Sequence, residues 1–127
     1  VKERVRKEHA DRCLPGKPFV GCRVTQLYNE GACLYFYLCM SCNQVPDPIK
    51  AFSGIELSAR QDILDRGGSL SHHHGVGKIR ASFLPSLNSS AFQDVQQKIK
   101  EGVDPLNIFG ARNGVYAADA SSPQDGH

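Results

Sequence analysis

Three consecutive histidines, His72 to His74, are the residues of this sequence whose type and spacing most clearly suggest chemistry. The pair Gly67-Gly68 precedes them closely, and Gly75-Val76-Gly77 follows directly. Glycine is used where the backbone turns tightly or comes close to another group, and imidazole gives or takes a proton near neutral pH. The spacing alone leaves three interpretations open: proton transfer or contact with an anion or cofactor, metal binding, and a structural turn. If the backbone is extended, only His72 and His74 point the same way toward a metal ion.

Two tyrosines, Tyr35 and Tyr37, lie on one face of a predicted strand. Residues 19–28 and 32–39 are rich in β-branched and aromatic side chains and predict a hairpin with a tight turn at 29–31. Alternation places the two tyrosines together with Cys33 and Cys39. The opposite face, predicted to pack against helices, carries Leu34, Phe36 and Leu38. By pattern alone, both tyrosines are half-buried sheet residues whose hydroxyl groups reach solvent.

The pair Cys39 and Cys42 forms a lone CxxC motif. A structural zinc site needs a second pair of ligands at matching spacing, and none follows. A redox pair is typically placed at a helix N-terminus, whereas this pair ends a strand. The total of five cysteines is odd and irregularly spaced, which favours a reducing compartment over a disulfide framework.

Helices are predicted on both sides of the histidines. Residues 1–12 resemble the end of an amphipathic helix. Asp47 as N-cap and Pro48 at the first position begin a second helix near 47–66, which Gly67 ends. A third helix is predicted over 90–101, with a capping box from Ser90 to Gln93 and an end at Gly102. The predicted buried stripes are Ile49, Phe52, Ile55, Ala59 and Ile63 in the second helix and Phe92, Val95 and Ile99 in the third.

These elements predict an α+β fold, with an antiparallel sheet formed partly by the 19–39 hairpin and covered by the helices near 47–66 and 90–101. The 127 residues fit one domain. A net charge of +2 is too small to indicate nucleic-acid binding, and no apolar run approaches the roughly 20 residues of a membrane span. Because Val1 opens inside a charged helical run, we expect a piece of a longer protein, with a domain over 1–116 and a flexible tail over 117–127.

Two segments carry a resemblance to a known family. Gly67-Gly-Ser-Leu-Ser-His-His-His-Gly-Val-Gly-Lys-Ile-Arg80 and Val103-Asp-Pro-Leu-Asn-Ile-Phe-Gly110 resemble the C-terminal part of FAD-linked oxidases of the vanillyl-alcohol oxidase type. Many members carry glutamate where this chain has His73. The run His-His-His-Gly-Val-Gly-Lys resembles instead the alkylglycerone-phosphate synthase (alkyl-dihydroxyacetone-phosphate synthase) family. The agreement extends to Cys22-Arg-Val-Thr-Gln26, Gly31–Tyr37 and Gly110-x-Arg112-Asn113, and so covers roughly residues 1–113.

The resemblance implies a flavoenzyme of ether-lipid synthesis, of which this chain is the C-terminal portion of the cap or substrate domain. Such an enzyme uses FAD and exchanges the acyl group of acyl-dihydroxyacetone phosphate for a long-chain fatty alcohol. The substrate carbon is deprotonated and bonded to flavin N5 on the way, with no net oxidation. An FAD-binding domain upstream of Val1, a homodimer, peripheral membrane association, and a peroxisomal or glycosomal location are further expectations.

The resemblance also implies roles for particular residues. Tyr35 matches the acid/base tyrosine of the family, and His72 to His74 match positions needed for activity, with His73 and His74 near the cofactor. A tyrosine base needs a neighbouring cation or donor, because a free phenol has a pKa of about 10, and the histidines are expected to supply it. Arg112 and Asn113 match a segment needed for activity, Asn113 as a cofactor contact. We expect the 127 residues alone neither to hold FAD nor to catalyse.

Two alternatives to this function remain open at the level of the sequence. One is an FAD-dependent 2-hydroxy-acid dehydrogenase, which His73 in place of glutamate disfavours. The other is a non-enzymatic metal-binding module that uses His72, His74 and the CxxC cysteines.

Overall fold

The structure, a computed structural model, describes residues 1–71 and 73–109. The chain divides into two compact units, residues 1–72 and 73–127. The first contains α1 (Lys2–Asp11), β1 (Phe19–Tyr28), β2 (Gly31–Cys39) and α2 (Pro48–Asp65), and the second contains α3 (Gly77–Ala81), α4 (Leu84–Leu87) and α5 (Ser90–Val103). Helices combined with an antiparallel strand pair confirm the predicted α+β class.

Helix α2 begins and ends as its sequence predicts. The Asp47 carboxylate accepts a hydrogen bond of 2.9 Å from the Lys50 N–H, and Pro48 occupies the first helical turn. At the other end Gly67 has a φ of +76°. The N–H groups of Gly67 and Gly68 donate to the carbonyls of Leu64 and Ile63, each at 2.9 Å. This pair of hydrogen bonds is a Schellman motif, which turns the chain out of the helix toward the histidines.

The core of the first unit joins the two long helices to one end of the hairpin. Val5 of α1 and Ile55 and Ala59 of α2 are buried, with 1%, 0% and 9% of their surfaces exposed. Val20 and Leu38, which pair across the strands, pack against this cluster. Full burial of one such aliphatic side chain stabilises a fold by about 1.5–3 kcal/mol, so this cluster holds the base of the hairpin.

A polar contact also joins the two helices. Arg12, the C-cap residue of α1, donates a hydrogen bond to Glu8, and this bond lowers the pKa of Glu8 below its ordinary value despite partial burial. The nearby charges of Arg12 and Arg4 and a hydrogen bond from Ser58 of α2 lower the pKa further. A Cβ added to Gly54 of α2 would lie 3.1 Å from Arg12 Nη2. Glycine at this position therefore lets the arginine lie close to α2.

The hairpin differs from its prediction in two respects. The turn has two residues, Asn29 and Glu30, because Gly31 already pairs with Tyr28 in the ladder. In addition, Leu34 and Phe36 stay 48% and 37% exposed. Their predicted packing against helices is wrong within the described residues, because the core cluster contacts only the hairpin end with Val20 and Leu38.

The second unit corrects the predicted stripe of α5. Ser89, one residue before the predicted position, is the N-cap, and its hydroxyl accepts a hydrogen bond of 3.3 Å from the Phe92 N–H. The stripe of Phe92, Val95 and Ile99 was predicted to be buried but is 50–61% exposed. Among the described elements none packs extensively against it. Similarly, Ile49 at the start of α2 is 79% exposed. None of the helices in the described ranges is long and apolar enough to cross a membrane.

Candidate active site

The register of the hairpin places Tyr35 directly across from Arg23. Side chains on one face of a strand pair lie about 4.5–5.5 Å from their cross-strand partners, measured between Cβ atoms. We call the face that carries this pair the tyrosine face. It consists of Phe19, Gly21, Arg23, Gln26 and Tyr28 on β1 and of Cys33, Tyr35, Tyr37 and Cys39 on β2. The tyrosine face therefore carries a cation, several phenols and no carboxylate.

The guanidinium of Arg23 lies over two phenol rings. Its Cζ is 5.8 Å from the centroid of the Tyr35 ring and 5.6 Å from that of Tyr37. Both distances are within the roughly 6 Å over which a cation is attracted to an aromatic face. Among the residues that the structure describes, no acidic side chain forms an ion pair with Arg23. Its guanidinium thus lies against electron-rich rings and is not paired with a described carboxylate.

Gly21 makes room for this arrangement. It pairs with Tyr37, and a Cβ added to Gly21 would lie 3.1 Å from Phe19 Cε1 and 3.6 Å from Tyr37 Cδ2. The two rings fill the space that a side chain would occupy. The guanidinium of the next residue on this face, Arg23, then lies over the Tyr37 ring.

A β-bulge brings a third tyrosine, Tyr28, onto the same face. The ladder shifts register between Val24 and Gln26, which leaves Thr25 as the extra residue and reverses the alternation beyond it. Partial desolvation, with smaller contributions from Cys33 and Tyr35, raises the pKa of Tyr28 above its ordinary value of 10.0. Tyr28 is therefore a protonated hydrogen-bond donor at neutral pH. Strict alternation from Arg23 assigns Tyr28 to the opposite face, so only the bulge could have revealed it.

The histidine segment is a turn and not an extended strand. Gly75 and Gly77 have φ angles of +71° and +53°, a region that glycine enters at little cost. The rings of His73 and His74 lie with their centroids 4.1 Å apart and their planes at 33°. The two imidazoles thus lie side by side, so the condition of an extended backbone, under which neighbouring side chains point in opposite directions, is not met. The predicted partner His72 lies outside the described residues.

Arg80, in the short helix that follows, contacts this turn. Its Nη1 donates a hydrogen bond of 3.3 Å to the carbonyl oxygen of Gly75, and its backbone N–H donates to the carbonyl oxygen of Val76 at 3.2 Å. Since Gly75 directly follows His74, Arg80 supports the backbone that carries the imidazoles. No role for Arg80 was predicted from the sequence, although a basic residue a few positions after a glycine turn is a signal for such a contact.

Asp104 organises the Asp-Pro-Leu-Asn-Ile-Phe segment. It is 7% exposed, and its carboxylate accepts hydrogen bonds of 2.9 Å from the N–H groups of Ile108 and Phe109. The Lys100 ammonium donates to the same carboxylate and, at 2.5 Å, to the carbonyl oxygen of Phe109. The bond from Lys100 is the main reason that the pKa of Asp104 lies below its ordinary value, and the two backbone bonds lower it further, against partial desolvation. One carboxylate thus fixes the turn after α5.

The predicted site residues fall into three groups. Tyr35 is placed in the first unit on the tyrosine face, and His73 and His74 are placed in the second unit. His72, Arg112 and Asn113 lie outside the described residues, as does the predicted tail 117–127. Within the described ranges no three histidine, cysteine or acidic side chains cluster as metal ligands would. All five cysteines are described, and all five are free thiols.

Comparison with known proteins identifies a family and several named proteins to which this chain is similar. The family described as FAD linked oxidases, C-terminal domain, matches residues 1–113. A protein of Caenorhabditis elegans named alkyldihydroxyacetonephosphate synthase is 38% identical over 113 residues, which are 89% of this chain. Proteins of the same name from Trypanosoma brucei brucei and Dictyostelium discoideum are 31% and 30% identical over 71% and 88% of this chain.

The aligned region is a small part of each relative. It covers 19%, 14% and 18% of the three proteins in the same order. The chain therefore spans less than a fifth of the length of these curated relatives. The matched part includes both the tyrosine face and the histidine segment in the family comparison.

Proposed function

Since the chain belongs to the family of C-terminal domains of FAD-linked oxidases, we propose that its full-length protein is an FAD-dependent transferase of ether-lipid synthesis. It exchanges the acyl group of acyl-dihydroxyacetone phosphate for a long-chain fatty alcohol and so forms alkyl-dihydroxyacetone phosphate. The observation that carries this proposal is the similarity to three proteins named alkyldihydroxyacetonephosphate synthase, at 30–38% identity over most of this chain. The phenol and guanidinium of the tyrosine face supply chemistry that suits it.

The phenol and imidazole side chains of this chain have donors that suit contacts with a flavin. A flavin ring presents carbonyl oxygens and ring nitrogens at its edge, and phenol and imidazole are donors that match such acceptors. Tyr35 is half-buried, and His73 and His74 are exposed on a glycine-flanked turn. When bound, FAD supplies an electrophilic ring for the deprotonated substrate carbon. An FAD-binding domain elsewhere in the full-length protein holds the cofactor's phosphates.

Tyr35 is the residue that moves the proton of the substrate carbon. A positioned acid/base contributes about 10²–10⁴-fold to a rate, provided that its orientation is fixed. The ladder fixes the backbone of Tyr35, and the Arg23 guanidinium lies over its ring. Tyr35 accepts the proton from the substrate carbon and later returns one to it.

His73 and His74 hold charge and protons at the other groups that react. Imidazole serves as a proton donor or acceptor near neutral pH. The carboxylate that leaves and the alcohol that enters each require such a group. His72, Arg112 and Asn113 are assigned to the activity by the resemblance of the sequence, Asn113 as a cofactor contact. These assignments rest on the resemblance of the sequence segments and on the turn that brings the rings of His73 and His74 together.

The test uses the full-length protein loaded with FAD, together with acyl-dihydroxyacetone phosphate and a radiolabelled fatty alcohol. We expect label in alkyl-dihydroxyacetone phosphate, one fatty acid released for each product formed, and oxidised flavin at the end of the reaction. Anaerobic bleaching of the flavin by 2-hydroxy acids, without labelled product, would replace this proposal by the dehydrogenase alternative. Stoichiometric zinc without flavin would replace it by the metal-binding one. The 127 residues alone are expected to retain no flavin absorbance.

Three properties of the full-length protein accompany this proposal. We expect it in peroxisomes or glycosomes, because the substrates belong to ether-lipid synthesis, and a fluorescent fusion overlapping an organelle marker checks this. We expect a homodimer, which light scattering detects as twice the subunit mass. The long alkyl chains of its substrates favour peripheral binding to membranes, and co-sedimentation with phospholipid vesicles measures that.

A further inference from the structure

We propose that Arg23 binds the phosphate group of the substrate on the tyrosine face. This inference rests on the function proposed above and assigns the anionic end of its substrate to a particular side chain. The starting observation is a guanidinium whose charge no described carboxylate neutralises, directly across the hairpin from Tyr35.

The position of the guanidinium suits an oxyanion. An arginine that lies over aromatic rings keeps its N–H groups, which point outward in the plane of the guanidinium, and it presents them in a fork that matches phosphate oxygens. Contacts with the rings of Tyr35 and Tyr37 limit the movement of Arg23 before a ligand arrives. Less rotational freedom is then lost on binding, which favours affinity.

The electrostatics of the tyrosine face point the same way. Arg23 is exposed and is the positively charged residue of this face. The face has no acidic residue that would repel a phosphate. The carboxylate nearest in sequence, Glu30, lies in the turn at the far end of the hairpin. A phosphate monoester approaching Arg23 thus meets a positive charge bordered by phenol rings.

The spacing of the pair fits the substrate. Acyl-dihydroxyacetone phosphate has three backbone carbons, with the acyl group on one terminal carbon and the phosphate on the other. Cross-strand side chains such as Arg23 and Tyr35 begin about 4.5–5.5 Å apart at their Cβ atoms. A phosphate held by Arg23 therefore leaves the reacting carbon within a few bonds' length of the Tyr35 phenol. The two strands of the hairpin then carry both the residue that binds the phosphate and the residue that transfers the proton.

The test is binding of ³²P-labelled dihydroxyacetone phosphate and inorganic phosphate to the full-length, FAD-loaded protein by equilibrium dialysis. Arg23→Gln removes the charge, Arg23→Lys keeps it without the fork, and Arg6→Gln removes an exposed arginine of α1 as a matched control. We expect Arg23→Gln to weaken binding about tenfold or more, the loss typical of one charge-assisted hydrogen bond. The affinity of Arg23→Lys should lie between those of Arg23→Gln and the wild type. The affinity of Arg6→Gln should equal that of the wild type.

Kinetics provide the second readout. If Arg23 holds the phosphate, Arg23→Gln should raise KM for the acyl substrate more than it lowers kcat. Melting temperature and flavin content should stay at wild-type values, which excludes a folding defect. Wild-type affinity and KM in Arg23→Gln would overturn the site while the exchange activity stands. Arg23-dependent binding without any exchange would instead preserve the site and remove the proposed function.

Discussion

The tyrosine face and the histidine segment fix their side chains by different means. On the hairpin, the backbone ladder sets the position of Tyr35, and its partner Arg23 follows from the register. The described residues of the histidine turn form no ladder, and the direction of His73 and His74 depends on Gly75, Gly77 and the hydrogen bond from Arg80 to a carbonyl oxygen. The hairpin should therefore tolerate most changes of side chain without losing its geometry. The turn should lose its geometry when a single glycine is replaced.

The largest effect is expected at Tyr35. Tyr35→Phe removes one hydroxyl and keeps the ring that Arg23 contacts, so we expect the exchange rate to fall by about 10³-fold, within the range of a lost acid/base. Steady-state rates of the full-length enzyme with labelled alcohol measure this. Flavin content should be unchanged.

Tyr28→Phe is the matched control for that variant. Tyr28 is a phenol on the same face, and the pKa of its hydroxyl is raised, so it is not suited to accept a proton. We expect less than a threefold change in rate, roughly the scale of a neutral hydrogen bond. Equal losses in the two variants would mean that any phenol on this face matters and that Tyr35 has no special role.

Removal of an imidazole should affect the rate more than the fold. For His73→Ala and His74→Ala we expect exchange to fall by about 10²-fold, at the lower end for a lost proton-transfer group. Both side chains are exposed, so melting temperatures should change by no more than a degree or two. Calorimetry and rate assays on the same preparations separate the two effects.

Ile55→Ala is the reference variant for a loss of folding stability. Ile55 is fully buried between the helices, and its truncation should cost about 2–5 kcal/mol of folding free energy. A fall in melting temperature for His73→Ala comparable to that of Ile55→Ala would assign the histidines a structural role and contradict the account.

Replacement of a turn glycine should give an intermediate effect. In Gly75→Ala the new side chain must adopt a φ of +71°, which costs roughly 1–2 kcal/mol for a residue with a Cβ. The turn should relax away from the active conformation, and we expect exchange to fall about tenfold, since 1.4 kcal/mol corresponds to that factor. Gly31→Ala, where the φ is not positive and no atom lies within 4 Å of the new Cβ, should behave as wild type. Equal losses of exchange activity in Gly75→Ala and Gly31→Ala would contradict the proposed difference between the hairpin and the turn.

The smallest effect is a pH-dependent one at Asp104. The folded state lowers the pKa of Asp104, so its contribution to stability is present above the unfolded value near 3.8 and is lost as the pH falls through the folded pKa. At pH 7, Asp104→Asn should lower the melting temperature of the second unit by several degrees. The difference in melting temperature between Asp104→Asn and the wild type should become smaller as the pH falls below 4. Thermal melts from pH 7 to 3 measure this difference. A constant difference over this range would contradict the role given to the carboxylate.

Local signals in the sequence predicted much of the fold. Asp47, Pro48 and Gly67 bound α2 because capping and glycine conformation are decided by a few neighbouring residues. The hairpin and its tyrosines follow from alternation. The α+β class follows from the same elements.

The rest depended on contacts that a pattern does not specify. An apolar stripe indicates that a helix face needs a partner but not where the partner is, which is why Ile55 is buried and Val95 is exposed. The pairing of Arg23 with Tyr35 depends on a two-residue turn, and a slip of one residue reverses every side chain. The bulge at Thr25, which places Tyr28 on the tyrosine face, cannot be recognised from the alternation of side chains along the strand.

Proton transfer at the substrate carbon is the step that we assign to Tyr35. It is tested most directly by running the reaction in D₂O with full-length, FAD-loaded enzyme and measuring deuterium at that carbon by mass spectrometry. Wild type and Tyr28→Phe should incorporate one deuterium for each product formed. Tyr35→Phe should bind FAD fully and incorporate essentially none. Incorporation by Tyr35→Phe at the wild-type rate would contradict the claim and assign the proton to another group.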